Sequence, residues 1–208
     1  MDRKTNILKR FVIYMTILTF VMFTVWALIK SFMNRPPGDY ETEVCDIRLK
    51  DKKYDEALVA ANTALEKTPN HRGAIMCKAL IFISQKKYIE ATSELNYLIN
   101  FLEQNVDNDD KTGIGTLAAA YANRGIIKDR SKNYKGALED YVKALGIDHE
   151  AVAGPGLGTI ILNYKFKSSS VKERALYLND QLQLPEQDRV LSIKELDEGQ
   201  VMHKPGKL

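Results

Sequence analysis

The residues whose types could do chemistry lie between positions 122 and 150. This stretch carries an amide, cations, a carboxylate and an imidazole, from Asn123, Arg124, Lys128, Asp129, Arg130 and His149. Catalysis needs a nucleophile, base or metal whose supporting groups converge in a pocket. The sequence shows no such constellation, because long intervals separate its histidines, His71, His149 and His203. We therefore expect a protein that is not an enzyme and binds no cofactor or metal ion.

The composition is typical of a folded protein and gives no sign of nucleic-acid binding. The 208 residues are 45% hydrophobic and 27% charged, enough for about one domain and an appendage. The net charge of +3 is small and dispersed, whereas nucleic-acid binding needs a concentrated basic face. Only two cysteines are present, without a CxxC motif, so the pattern indicates neither a zinc site nor a disulfide framework.

The first apolar segment has the length of a membrane span. The run from Phe11 to Ile29 is uncharged, and at about 1.5 Å per residue it extends about 28 Å, close to the thickness of a bilayer core. A cleaved signal peptide would need small residues at a cleavage site, but Trp26 and its successors lead directly to Lys30. We predict a transmembrane helix at 11–30 that contacts the lipid bilayer.

The charges on either side of this segment predict its orientation. Four basic residues precede it, and fewer follow it before the first acidic residues. The positive-inside rule then makes residues 1–10 a cytoplasmic stub and puts the remainder across the membrane. Pro36 and Pro37 disfavour helix in a linker at 31–37. The soluble part is expected to begin near Gly38.

A helical pattern repeats three times after the linker. Tyr54, Ala57 and Ala64 are followed thirty-four residues later by Tyr88, Ala91 and Leu98, and forty-six residues after that by Tyr134, Ala137 and Ala144. Such spacings place an aromatic and two small residues on one helix face, where a neighbouring helix can approach closely. An amphipathic run precedes each of these helices, so the unit is a helix hairpin. The extra residues form an insertion at 105–116, which suits an exposed loop or a lengthened hairpin tip.

The repeated unit resembles the tetratricopeptide repeat (TPR). The third copy matches best, with Tyr121, Gly125, Tyr134, Ala137, Tyr141 and Ala144 at the signature positions, although His149 replaces the closing proline. The resemblance implies an all-α solenoid of about three hairpins at 38–185, closed by a degenerate C-terminal capping hairpin. Residues 186–208 are expected to form a tail whose last ten residues are frayed. His71 and His149 fall in turns and are expected to be solvated.

The resemblance also implies a peptide-binding groove lined by the first helix of each hairpin. The positions that it assigns to the groove are Thr42, Asp46, Leu49, Met76, Leu80, Ile83, Ala122, Ile126, Asp129 and Arg130. Because the middle of this set is apolar and lacks a basic clamp, it suits an amphipathic or extended hydrophobic segment. The alternative is that these side chains pack against neighbouring helices or the C-terminal cap.

The two cysteines lie on the first helices of adjacent repeats. A disulfide needs Cα atoms within about 7 Å, whereas the axes of packed helices are about 8 to 10 Å apart. We therefore expect Cys45 and Cys77 to be buried free thiols.

These features predict a non-catalytic, single-pass protein of a bacterial inner membrane with a periplasmic TPR domain. The protein would act as a scaffold that binds protein partners, as an assembly or accessory factor for a membrane or envelope complex. A homo-oligomer is an open alternative. One alternative is an organelle receptor whose repeats face the cytosol and bind targeting peptides or chaperones. Another is an accessory or maturation subunit of a membrane-bound redox enzyme.

Overall fold

The computed structural model describes residues 3–33, 35–152, 170–193, 200 and 202–203. Within these ranges the chain is helical and contains no β-strand. The eight α-helices described are α1 (Arg3–Met33), α2 (Asp39–Lys50), α3 (Tyr54–Lys67), α4 (Arg72–Ser84), α5 (Tyr88–Asn105), α6 (Lys111–Arg130), α7 (Tyr134–Ile147) and α8 (Val171–Gln183).

Helix α1 is long and apolar enough to cross a membrane. The qualifying segment is Ile7–Lys30, and none of it is buried against the rest of the described chain. Its threonine hydroxyls donate to carbonyls of the same helix, from Thr16 to Val12 and from Thr19 to Met15. Polar groups satisfied inside the helix are what an apolar solvent requires. The length and composition of α1 therefore suit a bilayer.

Helices α2 to α7 form three antiparallel hairpins stacked in one direction. Each first helix packs on the second helix of its own hairpin, and α2, α4 and α6 also contact one another in series. The small residues of the repeat make this close approach possible, since Ala57, Ala64, Ala91, Ala137 and Ala144 are fully buried. The predicted all-α helix-hairpin solenoid is confirmed.

Helix α8 closes the solenoid by packing against α7. Its first turn is a capping box, in which the Ser170 hydroxyl accepts the Glu173 amide hydrogen and the Glu173 carboxylate accepts that of Ser170. The other helix of the predicted capping hairpin falls at 153–169, outside the described residues.

The turn inside each hairpin uses a lysine in the left-handed conformation. Lys52, Lys86 and Lys132 have φ angles of 60°, 60° and 64°. In the first hairpin the amide of Lys53 donates to the Arg48 carbonyl and that of Lys52 to the Leu49 carbonyl. The equivalent bonds recur in the other two hairpins. This is the Schellman motif, which satisfies the last carbonyls of the first helix.

The insertion at 105–116 lengthens helices instead of forming a long loop. Helices α5 and α6 have 18 and 20 residues, against 14 and 13 in α3 and α4. Asp110 caps α6 by accepting the Gly113 amide hydrogen at 2.8 Å, and it also pairs with Arg72 on α4. The insertion therefore adds length to α5 and α6, and Asp110 ties the start of α6 to the start of α4.

The prediction of free thiols is wrong, because Cys45 and Cys77 form a disulfide. Their Cα atoms are 6.5 Å apart, within the range that a disulfide can bridge. Each Cα lies about 2.3 Å from its helix axis, so residues that face each other are closer than the axes are. The bridge ties α2 to α4 inside a small core cluster that also contains Ala57, Ala60, Ala61 and Ile81.

Candidate peptide-binding groove

The first-repeat end of the predicted groove is an open cleft with several charged and polar residues in its lining. Thr42 and Asp46 line it together with residues of α4, α5 and α6, and its volume is about 770 Å³. Leu49 is partly buried. It packs against the cluster around the disulfide and against the larger core cluster that includes residues of α4 and α6.

His71, at the rim of this cleft, is a helix cap and not a solvated turn residue. Its Nδ1 accepts the Ala74 amide hydrogen at 3.2 Å, so the proton of a neutral ring is on Nε2, which lies 2.9 Å from an Asp39 carboxylate oxygen. The Thr42 hydroxyl lies 3.3 Å from Nδ1. These contacts join α4 to the start of α2.

The apolar middle of the predicted groove is buried. Five predicted residues lie in one core cluster on α4 and α6, namely Met76, Leu80, Ile83, Ala122 and Ile126. The same cluster includes α8 residues, and Met202 of the C-terminal tail packs against it. In this structure the apolar residues therefore contact other parts of the chain.

The last two predicted groove residues have opposite environments, although they are adjacent. Arg130 ends α6 with an exposed side chain. Asp129 is buried and accepts two hydrogen bonds from Arg174 of α8, from Nε to Oδ2 and from Nη2 to Oδ1, each 2.7 Å long. The Tyr141 hydroxyl donates to the same carboxylate at 3.2 Å. Asp129 thus holds α6, α7 and α8 together.

The C-terminal tail reaches this network and enters the groove. Gln200 donates from Nε2 to Asp129 Oδ2 at 2.8 Å and to the Tyr141 hydroxyl at 3.1 Å. Arg174 Nη2 also donates to the carbonyl of Leu191 at 3.0 Å, so an earlier part of the tail meets the same ion pair. The prediction that the last ten residues are frayed is wrong for Gln200, Met202 and His203.

Asn123 binds the tail backbone through both ends of its side-chain amide. Its Oδ1 accepts the His203 amide hydrogen at 2.9 Å, and its Nδ2 donates to the His203 carbonyl at 2.7 Å. The same Nδ2 lies 3.5 Å from the Met76 sulfur. Asn123 is fully buried and His203 is only 8% exposed. This pairing is the contact that an adjacent β-strand would make with an extended peptide.

Little space is left around the bound tail. The cavity bounded by Ile126, Tyr141, Ser170, Val171, Arg174, Gln200 and His203 has a volume of about 10 Å³. That is room for about one water molecule. Gln200 and His203 therefore leave little free space between α6, α7 and α8, at one end of the predicted groove.

Burial changes the proton affinities of the groove side chains. It lowers the pKa of the His203 imidazole to about 4, since a charged ring would lose its hydration there. Burial, reinforced by the negative charge of Asp129, raises the pKa of Tyr141 well above its usual value. The tail is therefore bound with a neutral imidazole over the ordinary pH range.

Three further polar residues of α6, namely Tyr121, Arg124 and Lys128, hold this helix against α5 and α7. Arg124 makes a bidentate pair with the buried Asp140 at 2.8 and 2.9 Å, and Lys128 binds the same carboxylate at 2.8 Å. Tyr121 donates to Glu103 of α5, and burial with this contact raises the pKa of Tyr121 to about 12. These residues stabilise packing, in keeping with the predicted repeat. Within the described ranges, His, Cys, Asp and Glu form no cluster suited to a metal ion.

Sequence reasoning missed Asn123 as a groove residue. The groove assigned from the resemblance leaves Asn123 out, although Asn123 is three positions before Ile126, a predicted groove residue. Residues three apart lie on the same helix face. An amide on an otherwise small and apolar face was therefore a usable signal, because a buried amide needs a polar partner.

Comparisons with known proteins find likenesses in solved structures. The chain is similar to the Arabidopsis OM64 TPR domain, with 16% identity and a TM-score of 0.45, over 62% of this chain and 93% of that one. It is also similar to the first TPR of Spaghetti (RPAP3) bound to the HSP90 peptide SRMEEVD, with 19% identity and a TM-score of 0.44, over 62% and 89% of the two chains. No model of a known protein family matches the chain, and no curated protein matches it. Both likenesses concern the fold alone.

Proposed function

We propose that this protein is a membrane-anchored scaffold whose solenoid holds an extended segment of another protein. The observation that carries this proposal is the double hydrogen bond between Asn123 and the backbone of His203. A side-chain amide that pairs with both N–H and C=O of one residue recognises an extended backbone, whatever side chain that residue bears. The partner would belong to a membrane or envelope complex.

The exposed apolar surface of α1 supports anchoring at residues 11–30. Its large apolar side chains are exposed along the whole segment, and Phe20 and Leu28 are each 70% exposed. Monomeric soluble proteins rarely leave such a continuous apolar surface in water. We take residues 1–10 as the cytoplasmic stub, 31–37 as the linker and 38–185 as the TPR-like domain, with a tail at 186–208.

The disulfide supports a position of the solenoid outside the cytoplasm. Disulfides persist in oxidising compartments and are rare in the cytosol. The Cys45–Cys77 bridge therefore agrees with the charge bias around α1, which puts the residues after it in the periplasm of a bacterial inner membrane. The same bridge counts against an organelle receptor with cytosolic repeats.

Tethering would make a weak groove effective. A partner in the same bilayer meets an anchored groove at a high effective concentration, so a modest affinity is enough for complex formation. Scaffolding and assembly roles need such reversible contacts, and an accessory role in a redox complex would use the same mechanism.

Topology can be tested on cells that express the full chain. Protease added to spheroplasts should degrade the solenoid. Because Cys45 and Cys77 are buried, the chain is denatured before labelling, and a thiol-reactive polymer should then modify the two cysteines only after reduction. Full protection of the solenoid with an intact inner membrane would reverse the proposed orientation. Thiols that are modified without reductant would remove the support from the disulfide.

Partner binding can be tested by cross-linking in the native membrane followed by purification in mild detergent. Asn123→Ala should reduce the yield of cross-linked partner, whereas Asn96→Ala, on an exposed position of α5, should retain it. Equal yields from the two variants would show that partners bind elsewhere. Charged substitutions at Leu80 or Ile126 are unsuitable here, because both side chains are buried in the core.

A further inference from the structure

The tail that fills the groove has a register set by two side chains of one helix. Gln200 lies at Asp129 and His203 lies at Asn123, so the tail runs antiparallel to α6. Six residues of helix rise about 9 Å, and three residues of extended chain span about 10 Å. The spacing of Asp129 and Asn123 therefore matches an extended segment with two anchors three residues apart.

The contacts at the two anchors differ in chemistry. At Asn123 they involve the backbone alone. At Asp129 the side-chain amide of Gln200 donates to the carboxylate, whose negative charge is already balanced by Arg174. A carboxylate in place of that amide would bring two acidic groups together, whereas an amide, hydroxyl or ammonium group would fit.

The pocket for the second anchor favours a neutral side chain. The Met202 sulfur lies 4.0 Å from the Ser84 hydroxyl of α4, and the same side chain packs on the core cluster. His203 is buried beside Ile126 and Tyr141. Apolar and uncharged aromatic side chains gain most from such a position.

The geometry points to the tail as an internal ligand that occupies the end of the groove beside Asn123 and Asp129 and must leave before a partner binds there. This inference rests on the proposed function and specifies its ligand. The partner segment is extended, carries a hydrogen-bond donor side chain at one position, and has an apolar or neutral aromatic residue three positions later. The sequence Gln-Val-Met-His at 200–203 satisfies this rule. The bound tail thus defines the specificity of the groove and limits its availability.

Hydrogen–deuterium exchange of the full chain in detergent tests whether the tail is bound. The amide of His203 donates to Asn123, so the tail should exchange more slowly than an unstructured peptide. Asn123→Ala should increase the exchange of the tail about tenfold or more, because it removes both anchoring bonds. Asn96→Ala should leave the tail unchanged. Protection must also be independent of protein concentration.

A tail that exchanges at the unstructured rate in the wild-type chain would overturn the inference. Protection that rises with protein concentration would also overturn it, since the ligand would then come from a second copy.

A truncated chain that ends at residue 199 tests whether the tail blocks the groove. A dye-labelled peptide of residues 199–208 should bind the truncated chain at least tenfold more tightly than the full chain, because a tethered tail competes at an effective concentration near millimolar. A peptide with Gln200→Glu should bind the truncated chain more weakly. Circular dichroism and thermal unfolding establish that each variant is folded.

Equal binding of the peptide to both chains, or no binding to a folded truncated chain at about 1 mM peptide, would refute the internal ligand. A different result would refute the proposed function. The tail could be protected from exchange and the peptide could bind, while neither the full nor the truncated chain cross-links to a membrane or envelope protein. Conversely, if the full and truncated chains bound a partner equally well, the proposed scaffold function would stand and the inference that the tail blocks the groove would be refuted.

Discussion

Asp129 on α6 and Arg174 on α8 form a buried bidentate ion pair that joins the last hairpin to its cap. Their side chains are 3% and 1% exposed, and both bonds are 2.7 Å long. The sequence resemblance placed Asp129 in a ligand groove. Its first partner is instead a residue of the same chain, and Gln200 of the tail donates to Oδ2, the oxygen that also accepts from Arg174 and Tyr141.

Removing one member of this pair should strongly destabilise the domain. Arg174→Met keeps the apolar volume but leaves a buried carboxylate without its cation, which typically costs about 3 to 5 kcal/mol. Chemical denaturation of the full chain in detergent measures the change. Arg48→Met is the matched control, because the pair of Arg48 with Glu56 is exposed and worth at most about 1 kcal/mol. Similar losses in the two variants would contradict a dominant role for the buried pair.

The disulfide should contribute a large part of the stability of the first two hairpins. It closes a loop with a sequence separation of 32, which corresponds to about 3 to 4 kcal/mol from the restricted unfolded chain. The double variant Cys45→Ala/Cys77→Ala should therefore unfold at lower denaturant concentration. Reductant should lower the midpoint of the wild type but not that of the double variant. If the unfolding midpoint of the wild type did not change on full reduction, the bridge would be energetically neutral.

The repeat could be predicted from the sequence because its packing residues recur at fixed spacing. Tyr134, Ala137 and Ala144 indicate a helix face that accepts a neighbour closely, and the structure has that contact between α6 and α7. Local spacing carries this information because each hairpin is formed by residues close in sequence. The length and apolar character of α1 are equally local, since they depend on an uninterrupted apolar run.

The ligand site was less predictable because it depends on residues distant in sequence. Asn123 and His203 are separated by 80 positions, and no periodicity connects them. Asp129 has the same difficulty, since Arg174 lies outside the clear repeats. The cysteine pair was misjudged for a geometric reason, because the distance between helix axes was used in place of the distance between facing residues.

The left-handed lysines of the hairpin turns predict a stabilising substitution. Lys86 has a φ of 60° and an exposed side chain. Glycine adopts this conformation without steric cost, which offsets its greater entropy in the unfolded chain. Lys86→Gly should raise the free energy of unfolding by up to about 1 kcal/mol, measured by denaturation. Lys87→Gly is the control, because Lys87 has a φ of −84° and glycine there brings no relief. A stabilisation by Lys87→Gly and not by Lys86→Gly would contradict the argument.

Gly125 should be intolerant of even one methyl group. A β-carbon there would lie 2.6 Å from the Tyr141 ring and 3.3 Å from the Ala137 carbonyl oxygen. Gly125→Ala should therefore push α6 away from α7 and destabilise the domain by about 1 to 3 kcal/mol. Gly146→Ala is the matched control, since nothing lies within 4 Å of its β-position and alanine favours a helix. The thermal midpoint should fall in the first variant and hold or rise in the second. Equal thermal midpoints of the two variants would mean that α7 shifts to make room for the methyl group without loss of stability.

The bound tail should be released by mild acid. Burial lowers the pKa of His203 from 6.5 to about 4, so the released tail takes up a proton more readily than the bound tail. Binding is therefore strongest above pH 6.5, weakens as the pH falls towards 4, and changes no further below that. Between pH 7.5 and pH 5 the binding equilibrium should weaken about 30-fold. The anisotropy of a dye attached after Leu208 reports the release.

The charged neighbours of His203 make a control necessary. Arg174 faces the same small cavity, and Asp129 and Tyr141 are hydrogen-bonded around it, so the control must change the imidazole and leave these groups in place. His203→Phe keeps a ring of similar size without an ionisable nitrogen. The anisotropy of this variant should stay level between pH 7.5 and pH 5, while that of the wild type falls. Identical profiles would contradict a role for His203 in the release, because only the wild-type chain can protonate at position 203.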